Sequence, residues 1–220
     1  MSDEMTFAGW PVEAIEFFED LEADNTKAFW TEHKQVYDDA VKAPMEALLS
    51  ELEGRYGEGK IFRPHRDVRF SKDKTPYKTN IAATLAGGGY VTLSSEGFGV
   101  GTGYYSMAKD QLAKFRAAID DTTTGRQLER TVTKLAAAGV EVSAHESLKT
   151  APRGYPKDHP RIELLRMKGC IAWKQWDVGA WLDTSEPAAR VVAFLDTAKP
   201  LVRWLDTNVG PTDIVDERWG

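Results

Sequence analysis

The residues best suited to chemistry lie in one short stretch, KIFRPHRDVRFSKDKTPYK, which runs from Lys60 to Lys78. It holds seven Lys or Arg side chains against Asp67 and Asp73, a net charge of +5 in a chain whose net charge is −6. Like charges at this density repel one another, so they face water, internal carboxylates or an anionic ligand. Arg forks bind phosphate or carboxylate bidentately, and Lys adds point charge. The stretch therefore predicts an anion-binding site.

Two arginines of this stretch, Arg66 and Arg69, are the side chains that we expect to clamp the anion. Arg66 falls on the same face of an extended segment as Phe62, Val68 and Phe70, and a partly buried Arg needs an anionic partner. That partner is either an internal carboxylate or a ligand. We expect three lysines to add positive field and a tyrosine to pack on the organic part of the ligand: Lys72, Lys74 and Lys78, with Tyr77 or Tyr104.

A second basic segment, Lys149 to Gly169, carries six Lys or Arg side chains against two acids. Asp158 at a helix N-cap with Pro160 in the first turn would place His159 and Arg161 beside exposed amides, which attract anions. Arg153, His159 and Arg161 are therefore the predicted second wall of the site. The alternative is that these cations only balance the acidic first helices, and the sequence favours neither interpretation.

Other chemistries find little support in the residue types. The four histidines are scattered without helical ligand spacing, and a single cysteine, Cys170, forms neither a thiolate cage nor an internal disulfide. Cys170 with His159 would supply a nucleophile and a base, but Cys170 lies in an apolar run typical of a core strand, where a thiol is inert. The sequence thus assigns no metal site, no cofactor and no catalytic residue.

Composition limits the class of protein. The chain has 220 residues, 42% of them hydrophobic and seven of them Trp, which is enough for a substantial core. Its acidic balance disfavours a general nucleic-acid binder, although a local basic groove could hold a short strand. No stretch approaches the roughly 20 apolar residues that span a bilayer, and the single cysteine favours a cytoplasmic location. The oligomeric state is not predicted.

Hydrophobic periodicity predicts the elements that must position these residues. The first third predicts three helices, with Pro11 in the first turn, Asn25 as the second N-cap, a kink or break at Pro44 and an end at Gly57. The period then changes to two, which predicts an antiparallel meander. Its predicted strands are Ile61 to Phe70, Asn80 to Leu85, Tyr90 to Leu93 and Gly97 to Tyr104.

Glycines occupy every second position from Gly97 to Gly103, so one face of that strand carries no side chains. Such a face admits another backbone, a ligand or, as we expect, a tightly packed helix. The remaining predicted elements are helices from Ser106 and from Thr122 or Thr123, a strand at Val140 to Val142, a helix capped by Asp158, a strand at Cys170 to Trp173 and a helix from Pro187 to Thr207.

These elements predict a single α+β domain over residues 1–210, in which helices from the N- and C-terminal parts cover an antiparallel sheet. Residues 211–220 are predicted to form a mobile tail.

The chain also resembles a known family, the uncharacterised family called domain of unknown function 2461, over nearly its whole length. The resemblance lies in the run from Arg66 to Lys78, in Gly103-Tyr104-Tyr105, and in Pro152 to Tyr155 with Asp158 to Arg161. Because the family is uncharacterised, the resemblance implies no particular activity, substrate or cofactor. His65 lies just outside the shared motif, which disfavours a catalytic role for it.

The sequence-based hypothesis is that a small anionic, phosphorylated ligand binds between the two basic segments. Two alternatives stay open. In the first, the basic loop docks an acidic protein segment or a short nucleic acid, with a steep dependence on salt. In the second, the cluster is architectural, because Arg66 and Arg69 pair with carboxylates inside the fold.

Overall fold

The computed structural model describes residues 6–69 and 72–214 of the chain. It contains helices α1 (Glu13–Ala23), α2 (Lys27–Val36), α3 (Ala43–Tyr56), α4 (Lys109–Asp120), α5 (Thr122–Ala137), α6 (Ile162–Arg166) and α7 (Glu186–Asn208). Its strands are β1 (Gly59–Ile61), β2 (Asn80–Leu85), β3 (Gly89–Ser94), β4 (Gly97–Tyr104), β5 (Glu141–Ser143) and β6 (Cys170–Trp176). They form an antiparallel sheet of strand order β1-β2-β3-β4-β6-β5, which confirms the α+β fold class.

The chain divides into two compact units, each described here by itself. The first comprises Met1–Val100 and Gln175–Phe194, and the second comprises Gly101–Lys174 and Leu195–Gly220, in both cases within the described residues. The single domain over residues 1–210 and the mobile tail over 211–220 stay predictions. Residues 215–220 of that tail lie outside the described residues.

The helices of the first unit pack an aromatic core around Phe17, whose ring centroid lies 5.5 Å from that of Phe18 and 5.8 Å from that of Trp30. The chain runs from α2 into α3 through a π-helical turn, Tyr37–Lys42, so the predicted kink or break at Pro44 is not a break. Pro44 is the second residue of α3 and directly follows this turn.

The N-cap of α2 is Thr26, whose hydroxyl accepts a hydrogen bond from the Phe29 N–H at 3.2 Å. The prediction of Asn25 at that position was therefore wrong by one residue. Both residue types are good caps, so composition alone could not separate them. The shift matters because it leaves the Asn25 side chain free for a tertiary contact.

The meander was predicted closely for β2, β3 and β4, but not for the segment before them. β1 ends at Ile61, and the residues that follow form an irregular loop rather than a strand, with Phe62 exposed. The Asp67 carboxylate accepts a hydrogen bond from the backbone N–H of Arg69, and Asp73 does the same for Thr75. The Asx turn at Asp67 bends the chain within the stretch that was predicted as a strand, and the turn at Asp73 lies beyond that stretch. Phe70, predicted on the apolar face of that strand, lies outside the described residues.

The backbone and one side chain of β6 lie close to three glycines of β4, and the helix that we expected over their face stays a prediction. In the second unit, a Cβ atom added at Gly103 would lie 2.4 Å from the Cys170 carbonyl oxygen, and one at Gly101 would lie 2.9 Å from the Trp173 ring. In the first unit, one at Gly97 would lie 2.1 Å from the Trp176 carbonyl oxygen. A side chain at any of these three glycines would therefore collide with β6.

Two helix starts in the second unit differ from prediction. α4 begins at Lys109, three residues after Ser106, and the Gln111 side chain accepts a hydrogen bond from the Ala108 N–H at 3.0 Å. α5 begins at Thr122 as predicted, with Asp121 as its N-cap. α6 spans only Ile162–Arg166, so Asp158 does not cap it.

The last helix, α7, matches its prediction within one residue at each end. It carries an apolar stripe whose residues are all buried: Val191, Phe194, Leu195, Leu201 and Leu205.

Candidate functional site

The most positively charged part of the first unit is the connection between β1 and β2, residues 62–79, which we call the basic loop. Its two ends pair with each other: the Arg66 N–H donates to the Pro76 carbonyl oxygen at 2.9 Å, and the Lys78 N–H donates to that of Pro64 at 2.8 Å. His65 and Tyr77 form an isolated antiparallel bridge between them. The base of the loop is therefore ordered by its own backbone, and we call the charged stretch between its two paired ends, residues 67–75, the tip.

The base is held on the helices by one residue of the loop, Tyr77. The Asn25 side chain accepts a hydrogen bond from the Tyr77 N–H at 3.0 Å and donates one to its carbonyl oxygen at 3.1 Å. The Tyr77 ring stacks on Trp30, with centroids 4.3 Å apart and planes 7° from parallel. Tyr77 is buried and anchors the loop. We had predicted that its ring packs on the ligand, but the ring is already covered by Trp30.

The Arg66 side chain forms its hydrogen bonds within the loop. Its Nη1 donates to the carboxylate of Asp73 and to the hydroxyl of Thr75. The pKa of Asp73 falls to about 2, chiefly because the Thr75 N–H donates to its carboxylate and then because Arg66 does. Arg66 thus ties the two arms of the loop together, in the internal pairing that the architectural alternative predicted.

Arg69 forms a two-pronged pair with Asp67 at the tip. Arg69 Nε lies 3.0 Å from Asp67 Oδ1, and Nη2 lies 2.6 Å from Oδ2. These bonds lower the pKa of Asp67 to about 2, and the positive charge of Arg63 adds to the shift. The Arg69 side chain is 77% exposed and that of Asp67 is 45% exposed. Two arginines therefore act on one accessible carboxylate.

The lysines of the loop have different roles. Lys74 Nζ donates to the Val68 carbonyl oxygen at 2.9 Å, which closes the tip. Lys78 Nζ lies 5.4 Å from the centroid of the Phe62 ring, in a cation–π contact. Lys72 is exposed.

Sequence reasoning missed two residues here. It did not include Arg63 in the predicted site, although Arg63 belongs to the same charge run. It also missed the Asn25 anchor. The signal in the sequence is the adjacent Thr26, a second residue able to serve as the N-cap.

The predicted residues of the second basic segment have structural roles in the second unit. His159 is buried; its Nε2 lies 3.2 Å from Asp120 Oδ1, and its Nδ1 accepts a hydrogen bond from the Arg161 N–H at 3.0 Å. Both ring nitrogens are therefore engaged. Arg153 is exposed in the turn before them.

Arg161 closes the end of α4. Its Nε donates to the Ile119 carbonyl oxygen at 2.6 Å, and its Nη2 donates to that of Asp120 at 3.0 Å, while Nη1 lies 3.4 Å from Glu129 Oε2. Last-turn carbonyls lack partners within their own helix, and a cation suits their partial negative charge. The prediction that His159 and Arg161 lie in the first turn of a helix was wrong, because α6 begins only at Ile162.

The two basic segments belong to different units, so their common site stays a prediction. Tyr104, which lies in the second unit, donates its hydroxyl to Asp206 Oδ1 at 3.0 Å. Burial raises the pKa of Cys170 to about 12, which keeps its thiol protonated and unreactive. The described residues contain no group of three or more His, Cys, Asp or Glu side chains placed to hold a metal ion. Nor does any helix in the described ranges have the length and apolar character to cross a membrane.

Comparison with known proteins gives a family but no activity. A solved structure of a conserved hypothetical protein from Pyrococcus furiosus is similar over 78% of this chain and 97% of its own, with 13% identity and a TM-score of 0.35. That score is too low to support an argument. No curated protein matches the sequence. The model of the family described as a conserved hypothetical protein, domain of unknown function 2461, matches residues 13–204, and the chain belongs to this family.

Proposed function

We propose that the protein binds an anionic group, a phosphate or a carboxylate, at the tip of the basic loop. Arg69 provides the bidentate contact and Arg63 provides the second positive charge. Lys72 adds further electrostatic attraction. The observation that carries this proposal is the Asp67 carboxylate, which already occupies an anion position on Arg69 and within the field of Arg63. An external anion would exchange with this internal one.

The exchange is energetically accessible. Solvent-exposed ion pairs contribute little to stability because water also solvates both charges, and both partners of this pair are accessible. A phosphate carries more charge than a carboxylate and offers more acceptor oxygens, so it competes well for a guanidinium fork.

The remaining charge of the loop also favours an anion. Both of its acids, Asp67 and Asp73, are already paired with Arg69 and Arg66. Within the described parts of the chain, Arg63 and Lys72 of the loop have no carboxylate oxygen within 4.0 Å. Uncompensated positive charge therefore remains on the loop, and that of Arg63 acts on the Asp67 carboxylate of the Arg69 pair. Arg66 and Tyr77 support the loop, so we do not include them among the proposed ligand contacts. The single, buried Cys170 is compatible with a cytoplasmic setting for this binding.

The proposal is tested by thermal unfolding against inorganic phosphate, pyrophosphate, AMP, citrate and a short oligo(dT), at low salt and at ~0.15 M salt. A ligand at a hundred times its dissociation constant stabilises by about 2.7 kcal/mol, which raises Tm by several degrees in a chain of this size. We expect one small anion to raise Tm in the wild type and not in Arg69→Ala. Arg130→Ala, which removes an exposed Arg of the second unit, is the control and should keep the shift.

Two results would count against binding of a small anion. A shift produced by oligo(dT) alone and lost at ~0.15 M salt would favour docking of an extended polyanion. No shift with any probe, together with strong destabilisation by Arg69→Ala, would favour the architectural alternative.

A further inference from the structure

The sheet ends in an open edge at β1, in the first unit. Among the residues that the structure describes, β1 pairs with β2 on one side only, in the register Gly59↔Leu85, Lys60↔Thr84 and Ile61↔Ala83. Its neighbouring hydrogen bonds run from the Ala86 N–H to the Glu58 carbonyl oxygen and from the Phe62 N–H to the Ala82 carbonyl oxygen, at 3.0 and 2.9 Å. Hydrogen-bonded positions alternate along an antiparallel strand, so the backbone N–H and C=O groups of Glu58, Lys60 and Phe62 point toward β2. Gly59 and Ile61 therefore direct their N–H and C=O groups away from the sheet.

A groove of about 380 Å³ runs along this open edge, with α3 as its other wall. Lys42, Glu46, Leu49, Ser50 and Glu53 line it from the helical side, and residues 58–61 line it from the strand. Leu49 reaches the strand: a Cβ atom at Gly59 would lie 2.7 Å from its Cδ2. The groove thus combines an apolar floor with a row of backbone donors and acceptors.

The unpaired charges of the groove indicate which kind of partner it binds. Glu46 is paired with Lys42 at 2.8 Å. In the described residues, Glu53 and Glu58 have no Lys or Arg nitrogen within 4.0 Å, and both are exposed. Lys60 is the one unpaired cation among the lining residues, so the unpaired charge of the groove is negative. A positively charged partner fits it.

A second copy of this chain fits less well. The antiparallel register that uses all four outward groups would pair Gly59 of one copy with Ile61 of the other, and would set the two Lys60 side chains directly opposite each other. Like charges in that position destabilise a strand pair, and a short edge strand that carries Lys is a common protection against self-pairing.

We propose that this groove binds an extended segment of another protein, which adds a strand to β1 and carries a Lys or Arg toward Glu53 beside an apolar side chain over Leu49. The segment exchanges two N–H···O pairs with Gly59 and Ile61, in the manner of strand-addition modules. The short edge, about 10 Å at ~3.3 Å per residue, limits the contact to a few residues and implies weak, reversible binding. This site is independent of the anion site on the basic loop.

The test uses a short acetylated peptide that alternates Val with Thr and carries one Lys, followed by NMR of the full chain. The peptide should slow the hydrogen exchange of the Gly59 and Ile61 amides. The same peptide with N-methyl groups on alternate amides should lose binding, because it cannot pair with a strand. A peptide with Glu in place of Lys should bind at least about five-fold more weakly, the size of one lost charge pair.

Variants of the protein separate strand addition from nonspecific attraction. Glu53→Lys should weaken peptide binding about five-fold or more, whereas Glu51→Lys, a matched change on α3 outside the groove, should not. Ile61→Pro removes an outward N–H, a substitution that edge strands tolerate, and should also weaken binding. Arg69→Ala should bind the peptide as the wild type does.

Three results would overturn the proposal: equal binding of the N-methylated peptide, unchanged exchange at Gly59 and Ile61, or equal effects of Glu53→Lys and Glu51→Lys. Protection of these two amides by raised protein concentration, without peptide, would assign the edge to a second copy instead.

Discussion

Arginine serves two different purposes in this protein, and the exposure of each guanidinium separates them. Arg161 is only 9% exposed and satisfies the carbonyl groups that end α4, whereas Arg69 is 77% exposed and holds a carboxylate that solvent also reaches. The first arrangement stabilises the fold, and the second can exchange its partner.

Replacement of Arg161 by Ala should destabilise the protein by about 2–4 kcal/mol, because it leaves the Ile119 carbonyl oxygen without its donor and Glu129 without its partner. Arg153→Ala, from the same basic segment but exposed, should change the free energy of unfolding by no more than about 0.5 kcal/mol. Urea denaturation measures both. Equal effects of the two substitutions would show that Arg161 has no special structural role.

The carboxylates of the basic loop should titrate at unusually low pH. The pKa of Asp67 and that of Asp73 are each lowered to about 2 in the folded protein, against about 3.9 for an unperturbed Asp. A depressed folded-state pKa contributes stability that is present above pH ~4 and is lost as pH falls toward 2. Carboxyl ¹³C NMR should therefore place both midpoints near 2, and Arg69→Gln should raise that of Asp67 toward its ordinary value. A normal midpoint for Asp67 in the wild type would mean that the Arg69 pair does not persist in solution.

At the scale of elements, the regular ones were predictable and the basic loop was not. The sequences of β2, β4 and α7 have strong hydrophobic periodicity and clear turn residues at their ends. Such elements are determined by residues that are close together in the sequence. The basic loop is shaped by side chains that bond the backbone, as Asp67 and Asp73 do, and by the distant Asn25. A period-two pattern cannot reveal such contacts, so the strand predicted from Ile61 to Phe70 was drawn through the Asx turn at Asp67.

The anchor of the loop can be tested at Asn25. Asn25→Ala removes both hydrogen bonds to the buried Tyr77 backbone and should cost about 1–3 kcal/mol. Asn25→Asp keeps the acceptor for the Tyr77 N–H but loses the donor, so its cost should be smaller. Limited trypsin digestion should cut the basic loop of Asn25→Ala faster than that of the wild type. Unchanged stability and cleavage would show that the Trp30 stack alone anchors the loop.

Across the whole molecule, charge is distributed unevenly. The chain is acidic overall, yet residues 60–78 carry a net charge of +5. The sequence identified this asymmetry and the arginines within it, because charge is read directly from composition. It could not assign partners: Arg66, Arg161 and His159 were placed in a ligand site, but each has a partner inside its own unit. Partner choice depends on tertiary contacts between residues far apart in the sequence, such as Arg161 with Ile119.

The central claim is that an external anion takes the place of Asp67 on Arg69, and two substitutions should change affinity in opposite directions. Isothermal titration of pyrophosphate into the wild type, Asp67→Asn and Arg69→Ala measures this most directly. We predict that Asp67→Asn, which frees the guanidinium and removes a negative charge, binds about five-fold or more tightly than the wild type, and that Arg69→Ala binds at least about ten-fold more weakly. Equal affinities in all three proteins would contradict the account and show that the Arg69 pair only shapes the loop.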